Sequence, residues 1–545
     1  MSLMLYSVAA FVAALGLYRL LQVGKRDPRM PKGPPTLPIL GNFHQIPNSG
    51  LYRQFRVWAK EYGSVFSLKF GPSNIVVLCD REAIHELLDK KGSIYSDRPN
   101  TYVGQLLTKG DHIAIHQMDS MWREKRKVIA HNFSPKALDE RHFRIQEAEA
   151  TVILNDLLRT PENFFDCVRR YTASVAATLV FGQRGATFES FWAHGVFDVM
   201  SKWTEAMEAG ANPPVDEYPI LKLLPKQICF WKRRAIQAGD AMDATWTRAR
   251  SIVDTRRSKG DKRDCIVDHL LDEYNEKGFP MSQHAFNNLV GELVEGGADT
   301  TAAQLLTLVL AFAKNPEVQE KARKEIDPLC GTKRSPVWTD FKSLPYINAI
   351  VKEGMRWRPV AVTALPHRAR QDGYYKGMLI PKDSTIFIPT WAIHHSEEIF
   401  EDNEAFNPDR FLGFPKLASE YAGSANWEER DKSLQSLRDS LANTLSAHHY
   451  GYGAGRRVCP GMHLAERNMW RIAAKLLWAF DIAEPLDPLT GKVVALDANA
   501  YNPGITQAPL PFKVRITPRS KAHAAAISKE LSGALDFLSP FTSKE

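Results

Sequence analysis

A chain of 545 residues with 44% hydrophobic and 24% charged residues can bury a large core, which excludes a disordered chain or a small disulfide scaffold. The net charge of +8 is modest for this length, and no basic stripe with interleaved aromatics is present, which argues against a nucleic-acid binder. Six cysteines at 79, 167, 229, 265, 330 and 459 lack framework spacing, so a reducing compartment is expected.

Leu3 to Val23 is apolar apart from Arg19 and a few small polar residues, and Lys25, Arg26, Arg29 and Lys32 come after it. About 20 apolar residues span a bilayer, and an arginine near the end can snorkel. A cleaved signal would carry its charge before the apolar stretch, so this order predicts a retained anchor at 1–24 with the body in the cytosol. The hinge at 25–50 contains Pro31-Lys-Gly-Pro-Pro-Thr-Leu-Pro38, which cannot be helical and is expected to be a stiff extended spacer. No linker or repeat divides the chain beyond the hinge, so one large unit is expected over 51–517, with a tail at 518–545.

Val65–Phe70 and Ile75–Leu78 flank Gly71-Pro72 and predict a β-hairpin. From about Glu82 to Asp340 the apolar spacing is mostly helical. Trp122-Arg-Glu-Lys-Arg126 sets an aromatic and an arginine on one helical face. A long apolar-periodic segment, about Ser282 to Lys314, contains Gly296-Gly-Ala-Asp-Thr-Thr301. Mid-helix glycines cost about 1 kcal/mol each, which predicts a close approach of backbone or a local opening of the helix. Glu353 and Arg356 stand at i and i+3, with Phe406-Asn-Pro-Asp-Arg-Phe411 some way further along. Small strands are expected around Tyr374–Ile388. Between Glu428 and Tyr450, Leu434, Leu437, Leu441 and Leu445 recur at helical spacing, so 430–448 is either an extra amphipathic helix or an artefactual insert.

The run Tyr452-Gly-Ala-Gly-Arg-Arg-Val-Cys-Pro-Gly461 sets one thiol in a glycine-rich loop. Glycines let backbone close around a flat ligand, backbone N–H groups favour the metal-binding thiolate, and Arg457 suits a carboxylate of that ligand. A zinc reading on His448, His449, Cys459 and His463 matches no common ligand spacing.

Gly455, Arg457, Cys459 and Gly461 match the haem-binding signature of the cytochrome P450 family, which this run resembles, with Tyr452 where that family usually has Phe. The resemblance covers roughly residues 31 to 515. It implies a mainly α, triangular fold with a small β subdomain behind a single N-terminal transmembrane helix. It implies haem b with Cys459 as the axial iron ligand, and propionates held by Arg457, Trp122, Arg126 and His367. Thr300 would then hydrogen-bond dioxygen and Asp299 would relay protons, a pair that suits monooxygenation. Glu353, Arg356 and Arg410 would form a structural ion network supporting the cysteine loop. Substrate recognition would fall on Ser96–His116, Val199–Leu224, Val360–Leu365 and Pro503–Thr506, with Val362, Ala364 and Ile505 as apolar contacts. Electrons would come from NADPH through a separate cytochrome P450 reductase, because the chain lacks an intact dinucleotide fingerprint. A monomer on the endoplasmic reticulum membrane, acting on a small molecule, is the implied setting. Trp357-Arg-Pro-Val and Leu-Pro-His-Arg resemble filamentous-fungal secondary-metabolism members, in particular hydroxylases of small phenolic polyketides such as the m-cresol methyl hydroxylases of patulin-type pathways. A terpenoid or alkaloid substrate, or haem binding without turnover, fits the same motifs.

Overall fold

Helical spacing dominates the chain, and the computed structural model, which describes residues 2–47, 49–208, 210–413, 417–418 and 450–542, folds it accordingly. The principal helices begin with α1 Ser2–Gln22, α2 Leu51–Tyr62, α3 Ser120–Asn132, α4 Phe143–Arg159, α5 Phe164–Phe181 and α6 Phe191–Met207. They continue as α7 Phe230–Ser258, α8 Gln283–Lys314, α9 Pro316–Cys330, α10 Pro345–Trp357, α11 Met462–Ala479 and α12 Lys521–Leu538. The fold is mainly α with small sheets, as expected. The possible insert at 430–448 lies outside the described residues.

α8 sets the frame. Ser282 caps it by accepting from the Ala285 N–H, and its apolar residues run all the way round rather than along one stripe. Such a helix has to be buried on every side. It packs on α5, α6, α7, α10 and α11 and so runs through the centre of the body.

The predicted hairpin forms β1 Val65–Phe70 and β2 Ser73–Leu78, with Val65 opposite Leu78 and Phe70 opposite Ser73. After β3 His367–Arg368 come β4 Gly373–Tyr375, β5 Met378–Ile380 and β6 Thr385–Phe387. The first sheet has the order β1-β2-β6-β3, so β2 pairs in parallel with a strand from far along the chain. β3 pairs with the far side of β6, which sets His367 opposite Ile386 in the hairpin's sheet. β7 Phe480–Ala483 and β8 Arg515–Pro518 make a separate antiparallel pair.

Two terminal segments are less independent than their composition suggests. The proline-rich stretch is extended, but it is docked: Ser67 N–H donates to Lys32 O at 2.9 Å and Arg26 grips Gly33 O and Pro34 O at 2.9 and 2.8 Å. A Cβ on Gly33 would lie 2.0 Å from Ser67 O, so only glycine permits this approach. At the other end, the expected tail contains α12, which packs Ala534 and Leu538 against Ala148 and Val152 of α4. Glu530 accepts from both N–H and hydroxyl of Ser335 at 2.8 and 2.7 Å. The tail is therefore part of the body. α1 differs: its window Leu5–Gln22 has a mean hydropathy of 1.4 and none of it is buried, and by length and composition it can cross a membrane.

Candidate active site

The cysteine loop leads directly into α11. Cys459 N–H donates to Tyr452 O at 2.8 Å and Val458 N–H to Gly455 O at 3.1 Å, which closes the loop on itself. Gly455 has φ +63, and a Cβ there would meet Leu88 O at 2.4 Å, so both conformation and contact demand glycine. Gly461 precedes the first turn of α11 and a Cβ there would meet nothing within 4 Å. Cys459 is half-buried. Burial raises its thiol pKa, while the N–H groups of Gly461 and Met462 and the Arg126 charge work the other way. Iron at that sulfur would hold it as thiolate outright.

Across from the loop, α8 runs unbroken through Gly296–Thr301, so the local opening expected there is not a break in the helix. The two glycines do different things. Gly297 packs on Ala176 of α5, its Cβ direction 3.3 Å from that methyl and 4.0 Å from Leu464 of α11. Gly296 faces open space, with nothing within 4 Å of a Cβ, and its carbonyl accepts from the Thr300 hydroxyl at 2.9 Å. Asp299 accepts from the Thr506 hydroxyl at 3.3 Å. Burial raises its carboxyl, against that hydrogen bond and the charge of Arg169. A carboxyl shifted upward beside a hydroxyl is suited to passing protons.

A third group is cationic. Arg457 stacks on the Trp122 ring at 4.5 Å and Arg126 lies 6.0 Å from the same ring. Arg457 donates to Ser96 O, Ile113 O and His116 O, while Arg126 donates to Val458 O. Arg98, which the motifs did not single out, joins them, donating to Ala114 O, Leu365 O and Pro366 O at 2.9, 2.8 and 2.8 Å. Among the described residues none of these three arginines forms an ion pair with a carboxylate. Burial, then the charges of Arg457 and Arg126, push the Arg98 guanidinium down to about 9. His367 is buried nearby with Nδ1 on Tyr95 O at 2.9 Å, and burial followed by the Arg98 charge lowers it to about 3. Three clustered cations, Arg98 and Arg457 buried and Arg126 half-buried, with no carboxylate at ion-pair distance among the described residues, are suited to hold an anion. The two propionates of haem b fit that need, and a flat ligand with one thiolate ligand fits Cys459.

Glu353, Arg356 and Arg410 come together as expected. Arg356 makes a bidentate pair with Glu353 at 2.7 and 2.8 Å, and Arg410 Nε stands 3.6 Å from Glu353. The substrate candidates divide. A β-bridge from Ala361 to Thr506 joins the two recognition stretches. Ile505 is half-buried against the main core. Ala364 is buried, at φ +48. Val362 is buried against Tyr52 and Trp391, while Ala361 and Leu365 on either side of the turn at 362–363 are half-buried.

The family model for cytochrome P450 matches residues 31–513. The chain is 40% identical over 523 residues to cytochrome P450 monooxygenase patI of Aspergillus clavatus, covering 96% of this chain and 95% of that relative. It is 38% identical over 543 residues to monooxygenase macC of Penicillium terrestre, covering 97% and 98%. With monooxygenase atE of Aspergillus terreus the identity is 39% over 519 residues, covering 95% and 93%. The cysteine loop, the unbroken α8 and these matches agree: the chain belongs to the cytochrome P450 family, and it is a monooxygenase.

Proposed function

We propose that this chain hydroxylates a small apolar or phenolic, polyketide-derived substrate, with O2 and with electrons from NADPH delivered by a separate reductase. The observation that carries the haem assignment is the cluster of Arg98, Arg126 and Arg457 beside the Cys459 loop, none of them ion-paired with a carboxylate among the described residues. Haem bound through a thiolate supplies the activation of O2, with sulfur donating electron density that favours O–O cleavage. Cys459 would ligate it, and Arg98, Arg126, Arg457, Trp122 and His367 would hold its propionate edge. Thr300 presents a hydroxyl already oriented by Gly296 O, and Asp299 keeps a carboxyl held upward by burial, so the pair can hold and pass protons. That pair favours turnover over mere haem storage.

The small side chains Ala361 and Ala364, with Leu365 and Ile505, support an uncharged substrate. The relatives are fungal monooxygenases of the kind the recognition motifs resemble. Seating at the endoplasmic reticulum membrane is supported by α1 and by a second exposed apolar set, Ile220, Leu223, Ile228 and Phe230, on the segment whose Tyr218 hydroxyl donates to Ile39 O at 2.8 Å. The test is product analysis with reductase and NADPH on m-cresol and a terpenoid panel. Hydroxylated m-cresol or a related phenol is expected; turnover of terpenoids alone would move the substrate class. A reduced, CO-bound form without a thiolate-type Soret shift would overturn the haem-thiolate assignment.

A further inference from the structure

Three consecutive residues of the loop between Thr108 and Ser120 are gripped by side chains of α8. Asp111 pairs with His284, whose other nitrogen meets Asp243 of α7 at 3.0 Å. His112 Nε2 meets Glu295 Oε2 at 3.0 Å. Ile113 N–H donates to Glu292 Oε1 at 3.1 Å, beside Lys125 Nζ at the same distance. The opposite edge of the loop is held by the arginines, since Arg98 takes Ala114 O and Arg457 takes Ile113 O and His116 O. The loop thus spans from the central helix to the cationic cluster.

The central contact has a defined proton. Ala114 N–H points at His112 Nδ1 at 3.2 Å, and an amide can only donate. His112 Nδ1 is therefore the acceptor, and Nε2 carries the hydrogen given to Glu295. Glu295 Oε1 accepts from Trp246 Nε1 of α7 at 2.7 Å, so its buried carboxylate is held by donors on two different elements. Glu295 directly precedes Gly296, whose carbonyl orients Thr300. Movement of the loop is in this way tied to the backbone that positions the hydroxyl.

We propose that His112 and Glu295 are positioning residues, a clasp that seats the Asp111–His116 loop as a wall of the substrate cavity and limits which ligands enter. This rests on the haem-site reading above, and it adds a specificity-determining pair to it. A hydrogen bond to a charged group, once broken, shifts a closed–open balance by about tenfold to a hundredfold. The side chain at 112 therefore governs ligand exchange without touching the reacting atoms.

The test uses the full membrane-anchored chain, with H112A, E295A, the double variant and H112Q, whose amide can donate where His112 Nε2 does. Each is first read for the reduced, CO-bound absorption. Imidazole association and dissociation rates and hydrogen exchange over residues 109–118 are then measured. H112A is expected to keep the thiolate-type absorption while both imidazole rates and loop exchange rise by about tenfold or more. Adding E295A should change little further, and H112Q should restore most of the slow exchange. E295A leaves Trp246 unpaired; if it misfolds, H112A and H112Q still decide the question. Unchanged imidazole rates and unchanged loop exchange in H112A with intact absorption would overturn the clasp alone. Absence of thiolate-type absorption in the unsubstituted chain would overturn the haem reading, and the clasp with it.

Discussion

Two groups of buried arginines in this protein look alike by burial and differ in how their charge is met. Arg356 spends all five of its N–H donors inside the protein: two on Glu353, and the rest on His394 O, Asn403 O and Ala405 O at 3.0, 2.8 and 2.9 Å. Glu353 also accepts from Asn407 N–H at 2.8 Å. Burial works to raise that carboxyl, and the Arg356 charge and hydrogen bonds oppose it. In the Arg98, Arg126 and Arg457 group the acceptors are carbonyls alone, and burial lowers all three guanidinium groups, the Arg126 charge lowering Arg98 and Arg457 further while Asp97 opposes it at Arg457. The first group carries its own carboxylate and braces the chain. The second has no carboxylate at ion-pair distance among the described residues, the arrangement that supports the proposed haem site.

The largest effect is expected where the first group is broken. R356L leaves the buried Glu353 with Arg410 at 3.6 Å as its remaining cation and should cost about 3–5 kcal/mol, read by denaturant unfolding, with most haem-loaded protein lost. A double replacement of Glu353 and Arg356 by Leu and Met should recover part of that loss; no recovery would mean the cluster does more than neutralise itself. R457L should show the opposite pattern. Removing a cation from a crowded cluster should leave the haem-free protein as stable or more so, while haem transfer to an acceptor apoprotein speeds up about tenfold, the worth of one lost charge-assisted contact. Equal destabilisation of both forms would assign Arg457 to structure.

T300A asks whether the filled site turns over. Product per NADPH should fall several-fold while the reduced, CO-bound absorption stays, with T300S restoring coupling; unchanged coupling would remove Thr300 from proton delivery. A smaller effect is expected for R98K, which keeps the charge but not the fork that donates to Ala114 O, Leu365 O and Pro366 O. Haem loss should quicken by no more than a few-fold in this variant, and a wild-type rate would show that the fork is dispensable.

The smallest concerns Asp97, the carboxylate beside the cluster that is already paired with Arg368 and Arg370. Burial raises its carboxyl, but the Arg370 hydrogen bond, the Met118 N–H and the charges of both arginines outweigh it, so it ends below the ordinary value. With its folded pKa depressed, its contribution is present above the unfolded value of about 4 and is lost as the pH falls through the folded one. D97N should therefore lower the unfolding midpoint at neutral pH and converge with the parent in acid.

Much of the candidate site was legible because its residues sit close together along the chain. Cys459, Arg457, Gly455 and Gly461 fall within one loop, Asp299 and Thr300 within one helical turn, and Glu353 with Arg356 on one face of α10. The α1 anchor was readable for the same reason, since length and hydropathy are local properties. Arg98 could not be found that way. Its signal is that its partners are carbonyls and no carboxylate among the described residues, which is a fact about three-dimensional neighbours. The surroundings of Val362 could not be read either, because composition says that a stretch is apolar, while only the fold shows that it packs against Tyr52 and Trp391.

The sequence by itself pointed to the family, the reaction class and the cysteine expected to serve as thiolate ligand, because each depends on residue types at fixed short spacing. Tertiary structure alone decided that the proline-rich hinge and the expected tail belong to the body. It also decided that Arg98 completes the cationic cluster and that His112 meets Glu295. Those contacts join residues far apart in the chain, where hydrogen bonds and packing are selected by the folded surface and leave no periodic mark on the sequence.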